Sequence, residues 1–282
     1  MKKQLLIAAV AASMTSVAMA DISITGAAKA NVTDGVATIE TDLTVVGKSA
    51  GTSVVANIAL DSGVDTGNDE GDMVEDLYLT TSFEGVKVKA GTYRSGKSEL
   101  DKTDATPSAR YNLSTTMGGI TATYEAKAAT HDLTLGGTVA GVSIKHKMKD
   151  NDDTETWVSG SMAGVNASWN QEKADNGDTN TAITVDTEMK GVALKYVKID
   201  SDTTTATDGY VTDSASVTEA SAIGISTSVA GNTVTYKVIE IDDVDSSKLI
   251  LTRPLNGATF EATYTNNDAS DDVLDFELAV KF

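Results

Sequence analysis

The sequence predicts an all-β protein, a transmembrane antiparallel up-and-down β-barrel of sixteen or eighteen strands with short periplasmic turns and longer extracellular loops. Two observations lead to this prediction. Segments of roughly nine to eleven residues alternate apolar and polar side chains, which is the period of a β-strand. The connections alternate between tight turns centred on glycine and longer stretches rich in Asp, Asn, Thr and Ser. Loop lengths that alternate in this way are typical of outer-membrane barrels.

The first twenty residues have the features of a secretory signal peptide. Lys2 and Lys3 supply the positive charge, an apolar segment follows, and small residues precede the predicted cleavage site after Ala20. The apolar segment is too short to cross a bilayer as a helix, which argues against a membrane anchor. The sequence therefore predicts a signal peptide over residues 1–20 and a barrel over residues 21–282.

The alternation is clearest in the last segment of the chain, which ends at Phe282. In water the apolar face of this segment would need a covering layer, whereas in a barrel wall it faces lipid and the polar face lines the lumen. The apolar face comprises Leu274, Phe276, Leu278, Val280 and Phe282, and the other face comprises Asp275, Glu277, Ala279 and Lys281.

The connections determine the strand count. The segment 247–255 is the most doubtful strand, because Pro254 cannot donate to a hydrogen-bond ladder, and without its hairpin the count falls from eighteen to sixteen. Either count exceeds the number at which side chains fill a barrel, so the sequence predicts a water-filled lumen. A surface structural protein or adhesin with a β-sandwich or solenoid fold is the alternative, but it does not explain the loop pattern. The longer connections are predicted at 62–72, 95–108, 150–153, 174–179, 201–216, 243–247 and 267–272.

The composition excludes several classes of function. The net charge of −19 leaves no basic surface for nucleic acid. The chain has no cysteine and two histidines, and neither His131 nor His146 has the neighbours that a zinc site or a hydrolase requires. We therefore expect no enzymatic activity, no metal site and no cofactor.

The strand parity also predicts which charged side chains line the pore. We expect the lumen carboxylates and the acidic outer loops to concentrate cations, which predicts a mild cation preference. The predicted pore-lining charges are Lys29, Glu40, Asp42, Lys87, Lys89, Arg110, Lys145, Lys147, Glu261 and Glu277.

Several patches of the chain resemble the general-diffusion porins of Gram-negative bacteria. The stretch Asp21–Gly26 resembles the first strand of that family, and Glu75–Leu79, Phe83–Val86 and Gly91–Arg94 resemble its fourth and fifth strands. The terminal Phe282 matches the aromatic end that the outer-membrane assembly machinery recognises in such proteins. The resemblance implies a passive channel for small hydrophilic solutes and ions.

In that family the third external loop folds into the barrel and narrows the pore, facing a ladder of basic residues. By resemblance, Glu99, Asp101 and Asp104 in loop 95–108 are the candidates for the acidic side of the constriction; the alternative is a solvated external loop. For the basic side the best candidates are Lys29, Lys87, Lys89 and Arg110. The sequence departs from the family at Glu40 and Asp42, and Arg94 reaches the lumen only if a bulge forms near Gly91.

The predicted surroundings of the barrel follow from its outer surfaces. Gly26, Ala28 and Ala30 give the first strand an unusually small outward face, which suits either a homotrimer contact or plain lipid. The acidic outer loops are either solvated or bridged by divalent cations to lipopolysaccharide.

Overall fold

The chain forms a closed barrel of antiparallel β-strands. The computed structural model describes residues 21–33, 36–61, 74–94, 100, 107–128, 130–206, 210–211, 216–268 and 271–281. Each strand pairs with the strands before and after it in sequence, and β1 (Asp21–Thr33) pairs with both β2 and β18, which closes the sheet. Within these residues no helix is long and apolar enough to span a membrane.

The barrel has eighteen strands, the larger of the two predicted counts. After β1 they are β2 (Val36–Ser49), β3 (Thr52–Asp61), β4 (Val74–Phe83), β5 (Val86–Tyr93), β6 (Ser108–Met117), β7 (Ile120–Lys127), β8 (Thr130–Val139), β9 (Val142–Lys149), β10 (Thr154–Met162), β11 (Val165–Lys173), β12 (Thr179–Met189), β13 (Val192–Ala206), β14 (Ser216–Val229), β15 (Asn232–Ile241), β16 (Val244–Leu255), β17 (Ala258–Asn267) and β18 (Val273–Lys281).

The two faces of the wall differ as the alternation predicts. On β13, Leu194 and Tyr196 point outward and are exposed, whereas Val197 and Ile199 point inward and are buried. The outward face becomes charged above Tyr196, where Lys198 binds two carboxylates. The apolar band on the outside of β13 therefore ends at Tyr196, as expected for a strand that leaves the membrane there.

Tight turns join the strands at one end of the barrel, which we call the tight-turn end. In the turn between β8 and β9, Ala140 and Gly141 have φ angles of 50° and 83°. Positive φ at both central residues defines the type I′ turn, whose twist matches that of the flanking strands. Glu84 and Gly85 repeat this conformation between β4 and β5.

Acidic side chains connect neighbouring hairpins at the opposite end, which we call the loop end. A carboxylate oxygen of Asp153 accepts a hydrogen bond from the Asp175 backbone N–H of the next hairpin at 2.9 Å. Asp242 accepts hydrogen bonds from the backbone and hydroxyl of Thr218 and from the backbone of Glu219. These carboxylates satisfy backbone N–H groups that extend beyond the sheet ladder.

The prediction of a longer connection at 243–247 is wrong. A two-residue turn at Asp242 and Asp243 joins β15 to β16, and β16 then runs to Leu255 through Pro254. The last residue of β16 that pairs with β15 is Thr252, so Pro254 borders only β17. Because that position has no ladder partner on the β15 side, the missing N–H of proline is tolerated. The closed barrel also excludes the β-sandwich and solenoid alternatives.

Candidate functional site

The interior of the barrel contains a polar cavity along β6 to β10. Its volume is about 890 Å³. Hydroxyl groups of Thr and Ser line much of it, together with charged side chains of both signs. The charged residues in its wall are Glu125, Asp132, Lys145, Lys147 and Glu155.

Lysines follow one another along the inner face of β9. Lys147 forms an ion pair with Asp132 at 2.9 Å, and Lys149 forms one with Glu155 at 2.6 Å. Lys145 differs from them, because its ammonium group lies over the Trp157 ring, 3.9 Å from the ring centroid. A cation over an aromatic face is attracted by the ring quadrupole.

A second basic cluster lies on β4 to β7. The ammonium group of Lys89 lies 3.9 Å from the ring centroids of both Tyr78 and Tyr93. Arg110 is almost fully buried and binds Glu125 at 3.1 Å. The two cations lie on β5 and β6, the strands that lead into and out of the third loop. Tyr93 pairs with Ser108 at the ends of these strands.

Carboxylates dominate the inner face near the point where the barrel closes. Glu277 on β18 lies 3.7 Å from Lys29 on β1. Glu261 pairs across the strands with Glu277 and accepts a hydrogen bond from Thr252 at 3.0 Å. Asp42 and Lys281 line a separate, smaller pocket near the same point. Apart from Lys29, the basic candidates lie on β5, β6 and β9, whereas the described acidic candidates lie on β2, β17 and β18.

The third loop contributes one described residue to the interior. Leu100 has no exposed surface and packs against Val197, Ile199 and Ile239 on the inner face of β13 and β15. The loop starts from β5 and returns to β6, which lie far around the barrel from these strands. Leu100 therefore reaches this apolar cluster from across the lumen.

The connection between β13 and β14 also enters the lumen. The Tyr210 ring lies between two cations, with Lys195 and Lys237 at 4.2 Å and 4.6 Å from its centroid. Lys237 also donates a hydrogen bond to the Tyr210 carbonyl oxygen at 3.2 Å. Val211 is buried in the same cluster as Leu100. Leu100, Tyr210 and Val211 thus cover part of the inner wall of β12 to β15, and the polar cavity lies in the neighbouring sector from β6 to β10.

Some of the predicted site residues lie outside the described part of the chain. Glu99, Asp101, Asp104 and Phe282 belong to this group, and Glu40 is placed only as a backbone position opposite Lys29. Their roles stay predictions.

The bulge near Gly91 that would bring Arg94 into the lumen does not form in β5. β5 keeps an unbroken register with both of its neighbours, and Gly91 is required because a Cβ there would collide with the backbone of β4. Arg94 follows the end of β5, and its backbone N–H donates to Asp76 at 2.8 Å.

The sequence analysis did not identify the aromatic residues whose rings contact the lumen lysines. Tyr78, Tyr93 and Trp157 all point inward, and strand parity would have placed each of them there. No pattern in the sequence indicated that Tyr210 enters the lumen, because it lies in a connection. For loop 95–108 the family resemblance implied entry into the barrel, but it did not single out Leu100. Among the described residues, no group of three or more His, Asp or Glu side chains is arranged to hold a metal ion.

Comparison with solved structures agrees with this architecture. The chain is similar to a triple mutant of the Rhodopseudomonas blastica porin (TM-score 0.61, 11% identity), covering 94% of this chain and 100% of that one. It is also similar to Pseudomonas aeruginosa OccK9 (OpdG), with a TM-score of 0.66 and 8% identity over 93% of this chain and 98% of the other. No protein-family profile and no curated protein matches the sequence. At these identities the likeness shows a shared fold.

Proposed function

We propose that this chain is an outer-membrane porin, a passive channel for small hydrophilic solutes and ions. The observation that carries the proposal is the polar cavity of about 890 Å³ inside a closed barrel whose outer surface is apolar. An apolar exterior suits lipid, and a polar interior suits water and hydrated solutes. The fold shared with a protein named as a porin supports the same function.

The charges of the lumen suggest how ions pass. Lys87, Lys89, Arg110, Lys145 and Lys147 form the basic sector on β5 to β9. The facing groups near the barrel closure are mainly carboxylates. Such an arrangement places a transverse field across the lumen, which favours hydrated, polar solutes over apolar ones. The carboxylates proposed for loop 95–108, Glu99, Asp101 and Asp104, would strengthen the acidic side.

The ion preference is proposed to be mildly cationic. Lumen charges of both signs are present, but the hairpins at the loop end carry an excess of Asp, as at 150–153 and 242–245. Negative charge at the mouth raises the local concentration of cations. A measured reversal potential that favours chloride in a salt gradient would contradict this preference.

The membrane setting follows from the same proposal. The loop end faces outward towards lipopolysaccharide, and the tight-turn end faces the periplasm. Export would use the signal peptide at 1–20, and assembly would use the terminal Phe282. We propose a homotrimer, supported by the small outward residues Gly26, Ala28 and Ala30 of β1.

Planar-bilayer recordings of the refolded chain from Asp21 test the channel. Stable conductance steps are expected, occurring in threes if the trimer is correct. A protein that inserts into the bilayer, as judged by protease protection, but never conducts would contradict the pore. Steps that occur singly, with a monomer in native gels, would contradict only the trimer.

A further inference from the structure

Among the described residues, the outer surface near the tight-turn end carries one charged side chain within its apolar band, and this side chain does not line the pore. In every strand the first two outward residues above the tight-turn end lie in the lower part of the apolar band. Across the strands that the structure describes, these residues are apolar, glycine or uncharged polar, with the exception of Arg253 on β16. Arg253 is therefore the only charged residue at this depth on the part of the outer surface that the structure describes.

Several uncharged polar residues at the same depth form hydrogen bonds within the barrel. The Thr52 hydroxyl donates to the Thr81 hydroxyl at 3.0 Å. Three other outward threonines each lie on the strand beside a neighbouring hairpin. In each case the hydroxyl donates to a glycine carbonyl in that tight turn, which removes the cost of an unpaired polar group in lipid. The pairs are Thr115 with Gly85 at 3.4 Å, Thr187 with Gly164 at 2.9 Å and Thr227 with Gly191 at 3.1 Å.

Among the described residues, Arg253 has no hydrogen-bond partner of this kind. Leu251 and Leu255 flank it on β16, both exposed on the outer face, and Phe260 stands opposite it on β17. The ion pairs formed among the described residues do not include it. Its side chain is exposed to the surroundings of the barrel. An arginine in this position is stabilised when its side chain reaches the polar surface of the membrane or an anion there.

A second copy of the chain is a poor source of that anion. Barrels that assemble around an axis perpendicular to the membrane keep each residue at its own depth. The outward carboxylates Asp200, Glu219 and Glu240 lie at the loop end, at the opposite side of the apolar band. Among the described residues that do not face the lumen, the carboxylate nearest in depth is Glu84, in the tight turn between β4 and β5.

We propose that Arg253 binds the phosphate group of a phospholipid in the leaflet at the tight-turn end. Its long side chain can extend past Leu255 towards the headgroup region, as lysine and arginine side chains do near membrane surfaces. The planar guanidinium group donates two parallel hydrogen bonds to phosphate oxygens, which an ammonium group cannot do. This inference rests on the membrane placement of the proposed function, and it concerns the outer surface instead of the lumen.

Native mass spectrometry of the refolded protein in detergent, titrated with phosphatidylglycerol, tests the site. We expect Arg253→Ala to weaken retention of one phospholipid by about tenfold, and Arg253→Lys to weaken it less, because lysine keeps the charge but loses the bidentate geometry. Lys173→Ala is the matched control, since Lys173 is an outward cation at the loop end of β11. Conductance of all variants should equal that of the wild type, so failure of the pore and failure of the lipid site are separate results.

Three outcomes would overturn the proposal. The first is that the wild type and Arg253→Ala retain phosphatidylglycerol equally well, or that the wild type retains a galactolipid, which has no phosphate, as well as it retains phosphatidylglycerol. The second is complete displacement of the lipid by inorganic phosphate, which would assign the site to a free anion. The third is loss of the oligomer in both Arg253→Ala and Glu84→Gln, which would assign Arg253 to a contact between copies.

Discussion

The Tyr210 hydroxyl group lies directly over Gly224, in the space that a Cβ atom at position 224 would occupy. Tyr210 belongs to the connection between β13 and β14, and Gly224 belongs to the inner face of β14. The absence of a side chain at this position of β14 therefore lets the connection between β13 and β14 enter the lumen. The ammonium groups of Lys195 and Lys237 both contact the Tyr210 ring there.

Replacing Gly224 with alanine is expected to increase single-channel conductance. The added methyl group would overlap the Tyr210 hydroxyl, so the ring must leave its place and the lumen widens on that side. Gly136→Ala is the matched control, because Gly136 also faces the lumen but a Cβ there meets its neighbours at ordinary distances of 3.6–3.8 Å. Equal conductance in the two variants would contradict a role for Tyr210 in narrowing the pore.

Replacing Leu100 with alanine is expected to destabilise the barrel and to make the pore conductance larger and noisier. Leu100 is completely buried in the apolar cluster on β12 to β15, and truncation of such a leucine costs about 2–5 kcal/mol. Urea unfolding in lipid vesicles measures the stability, and bilayer recordings measure the noise. Leu113→Ala, which removes a leucine from the exposed outer face of β6, should change the stability less and leave the noise unaltered.

Asp242 predicts a dependence of stability on pH. Hydrogen bonds from the Thr218 hydroxyl and from the backbone of Glu219 and Thr218 hold the pKa of the Asp242 carboxyl below its ordinary value. A carboxyl whose pKa is lower in the folded state contributes stability above its unfolded pKa, and that contribution is lost as the pH falls through the folded pKa.

The Asp242→Asn variant should therefore be less stable than the wild type at neutral pH, and the difference should vanish in strong acid. Urea midpoints measured at both ends of this range check the expectation. Asp243→Asn is the control, because Asp243 occupies the same turn and has the same left-handed backbone conformation. A difference between Asp242→Asn and the wild type that persists in strong acid would mean that the turn, and not the ionised carboxylate, is responsible.

The strand pattern could be predicted because each strand has one side chain face on the apolar outer surface and the other in the barrel interior. A residue such as Phe276 must face outward and its neighbour Glu277 inward, so the period of two is imposed along the whole wall. The strand count was open only at Pro254, whose tolerance depends on how far β15 extends beside it. That extent is a property of the sheet register, which local sequence does not reveal.

The lumen was predicted less completely, because its shape depends on contacts between distant parts of the chain. Parity places Lys145 and Lys147 inward, but it does not distinguish the lysine over Trp157 from the one paired with Asp132. Leu100 lies in a polar connection, and its apolar partners on β13 and β15 come from the other side of the barrel. Only the closed fold brings these residues together.

Lys145 offers the sharpest test of the lumen electrostatics. Its ammonium group lies over Trp157 and forms no ion pair among the described residues, so Lys145→Gln removes a positive charge without leaving a carboxylate unpaired. The reversal potential in a salt gradient should shift towards cations, and the Trp157 fluorescence should change because the cation no longer covers the ring. Lys173→Gln removes the same charge from the outer face of β11 and should alter neither property. If Lys145→Gln changes the fluorescence but leaves the reversal potential unaltered, permeating ions do not pass along the β9 wall, and the cavity between β6 and β10 is not part of the conducting path.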